Sequence, residues 1–253
     1  MIEPDVLGIE SVIAILIVLI SVPLFFYAHA RARAGHRPRL RPLPAFDQLS
    51  GLSGRAAESG RALHVGLGTG GISGPDTAVS LAGLTVLTHL ADQAVACEAC
   101  LVVTVADPTL LPAAQEVLRQ AYARRGKSDV FSPAQVRLLA PDPTAYAAGV
   151  MGILEGENPL ASVTVGAFGD EYLLIGETGA KREIEQVAGT DDPAALTFMH
   201  LTADETLIGE EIFAAGAYLQ GTPQSVAGLM VQDWWRYLVV LFIIAGVLWH
   251  TLL

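Results

Sequence analysis

The sequence predicts an α/β protein: a parallel-sheet, Rossmann-like three-layer domain flanked by two transmembrane helices. Two observations carry this. An uncharged apolar run lies near each end of the 253-residue chain. Between the runs, short apolar strand-like segments alternate with longer segments of helical spacing, the pattern of strands laid side by side and covered by helices.

Residues 12–28 read VIAILIVLISVPLFFYA. With the preceding residues, the first span covers 6–29, about 36 Å of helix. The Ala28-His29-Ala30 triplet imitates a signal-peptidase site, but the acidic opening (Glu3, Asp5, Glu10) is unlike the basic start of a signal peptide. The second span, 234–253, opens on Trp234-Trp235-Arg236-Tyr237, residues suited to the headgroup layer. Arg31, Arg33, Arg37, Arg39 and Arg41 follow the first span and Arg236 precedes the second. Positive charge stays inside, so both termini are expected outside the plasma membrane and the body in the cytoplasm. The arginine cluster is expected to lie on anionic headgroups.

Residues 30–60 form a basic, Pro- and Gly-rich linker with room for one short helix, 61–222 the α/β domain, and 223–233 a second linker. Strands are expected at 62–67, 101–106, 136–139, 162–166 and 185–188. Helices are expected at 77–96, 110–125, 146–154, 171–180, 193–199 and 207–219. Asp107-Pro108, Asp142-Pro143 and Asp192-Pro193 mark strand-to-helix junctions: Asp caps free amides and Pro fits the first helical turn. Ser73-Gly74-Pro75-Asp76 resembles a capping box. The same acids also stand where open parallel sheets bind ligands.

Charge excludes one class of partner. From residue 42 to 233 there are 9 basic against 23 acidic residues, a net of −14. Such a body repels phosphate backbones, so no nucleic-acid role is expected. A basic cytoplasmic protein would suit it, although charge of this size also serves solubility.

The richest candidate site is the segment HVGLGTGGISG, residues 64–74. Gly66, Gly68 and Gly71 match G-x-G-x-x-G between a strand and a helix, with Ser73 beside them and Asp107 at the end of the next strand. Backbone amides there approach a phosphate, and the acid suits a ribose. Asp107 lies farther from the glycines than the fingerprint asks, and the loop is longer. A tight turn used for packing or subunit contact is the competing reading. Cys97-Glu98-Ala99-Cys100 follows a helix rather than opening one, which is wrong for a thioredoxin-like site, and zinc lacks a second pair of ligands. His64, His89 and His200 are isolated. Glu205, Glu210 and Glu211 beside Asp204 read as a solvated or partner-facing helix start, and Asp170 and Glu171 as a strand-to-helix turn of the same kind. No catalytic set, metal site or cofactor is predicted.

The strings HVGLGTGGISGPD, DPTLLPAAQEVLRQAY, DPTAYAAGVMGIL, LIGEEIFAAGAYL and QDWWRYL resemble a bacterial membrane-protein family defined as a domain of unknown function, number 6754, from about residue 63 to 237. The resemblance implies that anchors and body form one unit, and transfers no catalytic residue. The first functional expectation is therefore a membrane-tethered scaffold or assembly module that self-associates, because Ala214, Ala215, Gly216 and Ala217 would let another helix approach. The second is a nucleotide- or phosphometabolite-binding domain using residues 66–74.

Overall fold

The computed structural model describes residues 9–34 and 41–252. The predicted start of the first span at 6–8, and Arg37 and Arg39 of the basic cluster, lie outside them. The chain divides into two units: residues 41–220, and the two terminal segments 1–40 and 221–253.

The terminal unit contains two long helices. Helix α1 spans Ile9–Arg33 and carries Pro23 inside it. Its Ile15–Arg33 stretch is long and apolar enough to cross a membrane. Helix α9 spans Pro223–Leu252 and carries no charge beyond Arg236. The segment 223–233, expected as a linker, forms the first turns of α9. The two helices pair through Ala28, Ala227 and Val231, with Leu24 and Met230 packed around them. Trp235 Nε1 donates to Ser21 Oγ at 3.0 Å, and the Tyr27 and Trp234 rings lie 6.0 Å apart. The remaining faces expose large aliphatic and aromatic side chains, among them Leu19, Phe26, Leu241 and Val247.

Residues 41–220 form an all-parallel six-stranded sheet. The strands are β1 Leu63–Gly68, β2 Leu101–Val105, β3 Val136–Leu138, β4 Ala161–Ala167, β5 Glu185–Thr190 and β6 Glu205–Ile208. Their order is β3-β2-β1-β4-β5-β6, the doubly wound order of dinucleotide-binding sheets. Strands β1 and β2 are buried on both faces, which is why they read as continuous apolar runs rather than alternating ones.

Two apolar layers cover the sheet. On one face lie α2 (Pro44–Leu49), α3 (Leu52–Ser59), α4 (Thr77–Cys97) and α5 (Leu110–Arg124), whose Leu49, Leu52, Leu87, Leu90 and Leu118 pack on Val65, Val103 and Val163. On the other lie α6 (Pro143–Glu157), α7 (Tyr172–Lys181) and α8 (Pro193–Thr202), centred on Tyr146, Tyr172, Ile175 and Met199. Helix α4 also has the length and composition of a span, but over half of it is buried as the central core helix. A Cβ on Gly83 would fall 2.4 Å from the Val165 carbonyl, so this glycine lets α4 lie directly on β4.

The Asp-Pro junctions behave as capping chemistry dictates. Asp142 Oδ1 accepts from Ala145 N at 2.9 Å, and Asp192 Oδ1 accepts from Ala194 N at 2.8 Å. The S-x-x-D capping box does not form. Asp76 stands at the N-cap of α4 without a side-chain bond, and the Thr77 hydroxyl ties the turn instead.

The expected helix over 207–219 is not one. Residues 207 and 208 belong to β6, Gly209–Ala214 is a 3-10 helix and Gly216–Gln220 a π turn. The small residues Ala214, Ala215, Gly216 and Ala217 are buried inside the domain, where this segment packs beside α4. The close approach they permit is therefore already used within the fold.

Candidate functional site

In this strand order the sheet reverses direction of growth between β1 and β4, and the glycine-rich segment leaves the carboxyl end of β1 at that reversal. Its first glycine belongs elsewhere. Gly66 is inside β1, and a Cβ there would meet Thr164, the Tyr146 hydroxyl and His64 at 3.1–3.4 Å. The loop proper begins at Gly68, whose φ of +78° turns the chain out of the strand where the register with β4 shifts. A side chain there would strike the Ala167 carbonyl oxygen at 2.1 Å.

The loop is clamped between the ends of the neighbouring strands. Thr69 N donates to Ala167 O at 2.8 Å on the β4 side, and Ala106 N donates to Gly68 O at 3.2 Å on the β2 side. Gly70 and Gly71 then lie so close to their surroundings that a side chain at either would displace a neighbour. A Cβ on Gly70 would fall 2.8 Å from Ser80 Oγ and from Ala167 Cβ, and one on Gly71 would fall 2.7–2.9 Å from the Asp107 carboxyl group. Sequence spacing places Asp107 too far from the glycines, yet the structure sets it directly against Gly71. The long α4 occupies the additional residues.

Asp107 is held by its own turn. Its Oδ1 accepts from Thr109 N at 2.7 Å and from the Thr109 hydroxyl, which in turn accepts from Ile72 N at 3.0 Å. Among the described residues Oδ2 has no hydrogen-bond partner, and neither do the Gly70 and Gly71 amides. Ser80 is fully buried in the first turn of α4, and its hydroxyl has no partner. Ser73 is exposed and makes no side-chain bond among the described residues.

Beneath the loop runs a polar chain that the sequence does not announce. His64 Nδ1 lies 2.8 Å from Ser162 Oγ on β4, and Nε2 lies 2.9 Å from Thr104 Oγ1 on β2. Thr104 Oγ1 lies 3.0 Å from the Tyr146 hydroxyl, which accepts from Gly68 N at 3.4 Å. Every side chain in the chain is buried. Burial, with Arg137 as a lesser cause, lowers the His64 pKa to about 3, and burial pushes the Tyr146 hydroxyl up to about 12. Both are therefore neutral at ordinary pH, and the chain works by hydrogen bonding alone. Gly66 provides the notch through which the Tyr146 hydroxyl reaches Thr104. The only sequence signal was a histidine in an apolar strand, with hydroxyl residues centred in LVVTV and ASVTV.

The other candidates do not converge. Cys97 and Cys100 are exposed free thiols at the far, amino edge of the sheet, on either side of the turn from α4 to β2. His89 bonds Gln93 within α4, and His200 lies 3.5 Å from Thr206 Oγ1. Asp204 accepts from Gln186 N, Glu211 accepts from Ile208 N and pairs with Arg41, and Glu171 accepts from Gly169 N. Among the described residues no three His, Cys, Asp or Glu side chains are grouped to hold a metal ion.

The family profile described as "Domain of unknown function (DUF6754)" matches residues 3–253. The chain belongs to this family. The DUF6754 match takes in both terminal helices along with the sheet, so the helices and the sheet domain belong to a single family unit. Neither the curated proteins nor the solved structures contain a significant match to this DUF6754 chain.

Proposed function

We propose that this DUF6754 protein is a membrane-tethered α/β domain that binds a nucleotide-type ligand on the loop between β1 and α4. One observation carries the reading. A glycine loop with unpaired amides leaves the central strand where the sheet order reverses, and the acid ending β2 stands against it. Helix α4 adds the positive end of its dipole. The burial of residues 214–217 takes those small residues out of any contact between subunits, and the loop is the site on which this reading rests.

Helices α1 and α9 serve as the two spans. Arg31, Arg33 and Arg41 after the first and Arg236 before the second favour a cytoplasmic body with both termini outside the plasma membrane.

A thermal-shift panel of nucleosides, nucleotides and dinucleotides on the detergent-solubilised protein tests the site. A true ligand at 100 times its Kd stabilises by about 2.7 kcal/mol, a rise of roughly 5–10 °C for a domain this size. The absence of any shift across the panel would sink the reading. Topology has its own test, because Cys97 and Cys100 are exposed and are the only two cysteines. A membrane-impermeant maleimide should label them only after cells are permeabilised. Labelling of intact cells would place the body outside.

A further inference from the structure

We propose that the ligand of this loop is a ribose-bearing compound of zero or positive net charge, not a nucleoside polyphosphate. The inference rests on the binding reading above and narrows its chemistry.

The five strand-to-helix loops at the carboxyl edge of the sheet are residues 69–76, 106–109, 139–142, 168–171 and 191–192. They hold Asp76, Asp107, Asp142, Asp170, Glu171 and the Asp191-Asp192 pair, and no lysine or arginine. Arg41 stands at the β6 end of this edge, paired with Glu211, and the other basic residues of the sheet domain sit elsewhere. Arg55 and Arg61 lie before β1, and Arg124, Lys127, Lys181 and Arg182 at the ends of α5 and α7, all on the amino edge. Arg119 and Arg137 are paired with Glu116 and Glu157. Helix dipoles offset part of this negative charge, and Asp142 and Asp192 are bonded to helix amides. Among the described residues of the sheet domain, the β1–α4 loop and the strand ends beside it are left with carboxylates and no cation of their own, Arg41 being paired with Glu211 beyond β6. Each carboxylate about 10 Å from a phosphate weakens its binding roughly twofold per charge before salt screening.

What the loop offers instead is hydrogen bonding. Asp107 Oδ1 is committed to Thr109, which fixes the carboxylate plane, while Oδ2 is left facing Gly71 as an acceptor. A carboxylate held in this way suits the vicinal hydroxyls of a ribose, and a 2′-phosphate would be repelled. An independent sign of a missing partner is the Ser80 hydroxyl, fully buried and unbonded against Gly70. Together with the two free glycine amides it leaves the cradle with donors and one acceptor unsatisfied, a set that hydroxyls and a single polar head complete.

Binding of adenosine, S-adenosylmethionine, ADP and ATP to the full-length protein in neutral detergent, at two salt concentrations, tests this. S-adenosylmethionine or adenosine should bind at least about tenfold more tightly than ADP. Added salt should strengthen ADP binding by relieving repulsion, and leave adenosine unchanged. Asp76 makes no side-chain cap bond and is exposed, so Asp76→Lys spares the fold. It should raise ADP affinity severalfold and lower that of S-adenosylmethionine. Asp107→Asn should weaken adenosine about tenfold. If ADP or ATP binds as well as adenosine, or weakens with salt, the charge inference is overturned while the binding reading stands. If none of the four binds, this inference is overturned, and if the wider panel of nucleosides, nucleotides and dinucleotides also gives no shift, the binding reading falls with it.

Discussion

Gly68→Ala is expected to cost on the order of 3 kcal/mol of stability, lowering the melting temperature by roughly 6–12 °C. Two penalties combine. The φ of +78° lies in the left-handed region, where a Cβ costs about 1–2 kcal/mol. The added carbon would also lie 2.1 Å from the Ala167 oxygen, a backbone atom that cannot rotate away. Relief requires β1 and β4 to separate at their carboxyl ends, which breaks the Thr69–Ala167 bond. Gly74→Ala is the matched control, because a Cβ there meets nothing within 4 Å. Its melting temperature should stay within about 1–2 °C of the parent. Equal effects of the two substitutions would show that the strand end is not the constraint described.

Acidification should expose His64 as the second large term. Its folded pKa is about 3 against 6.5 when unfolded, so between these values the unfolded chain binds a proton that the folded one does not. The stabilising contribution is complete above pH 6.5 and is lost as the pH falls toward 3, at about 1.4 kcal/mol per unit. From pH 7 to 4.5 the loss from this residue is about 2.5 kcal/mol. Glutamine carries both a donor and an acceptor without a titrating proton, so His64→Gln keeps partners for Ser162 and Thr104. Denaturant midpoints across this range should fall more steeply for the parent than for the variant, by about one proton. Parallel profiles would mean that His64 is already charged, or is reached by water, in the fold.

Much of this architecture was legible in the sequence, for identifiable reasons. The two long terminal helices, the strands of residues 62–67 and 101–106, and the helices beginning at Thr77 and Leu110 follow from long uniform patterns. The Asp-Pro pairs located helix starts because capping is local chemistry. Three things were hidden. Residues 207–219 look helical because apolar residues recur there at helical spacing, but pairing with β5 takes Leu207 and Ile208 and burial beside α4 sets the rest. Gly66 looked like the first loop glycine because a glycine inside a strand and one just beyond it are indistinguishable without the register. The link from Asp107 to Gly71 depends on where two strand ends meet in space, and spacing along the chain misses it when the intervening helix has 21 residues.

The pairing of β1 with β4 has a consequence for how the chain is made. Partners such as His64 and Ser162 are 98 residues apart in sequence. At about 5–20 residues per second, a ribosome needs on the order of 5–20 s to synthesise the interval. During that time β1 has one edge satisfied by β2 and the other open, which is the condition that invites pairing with other nascent chains. The segment left waiting is LHVGLG, and its two glycines make it a poor template for a foreign strand.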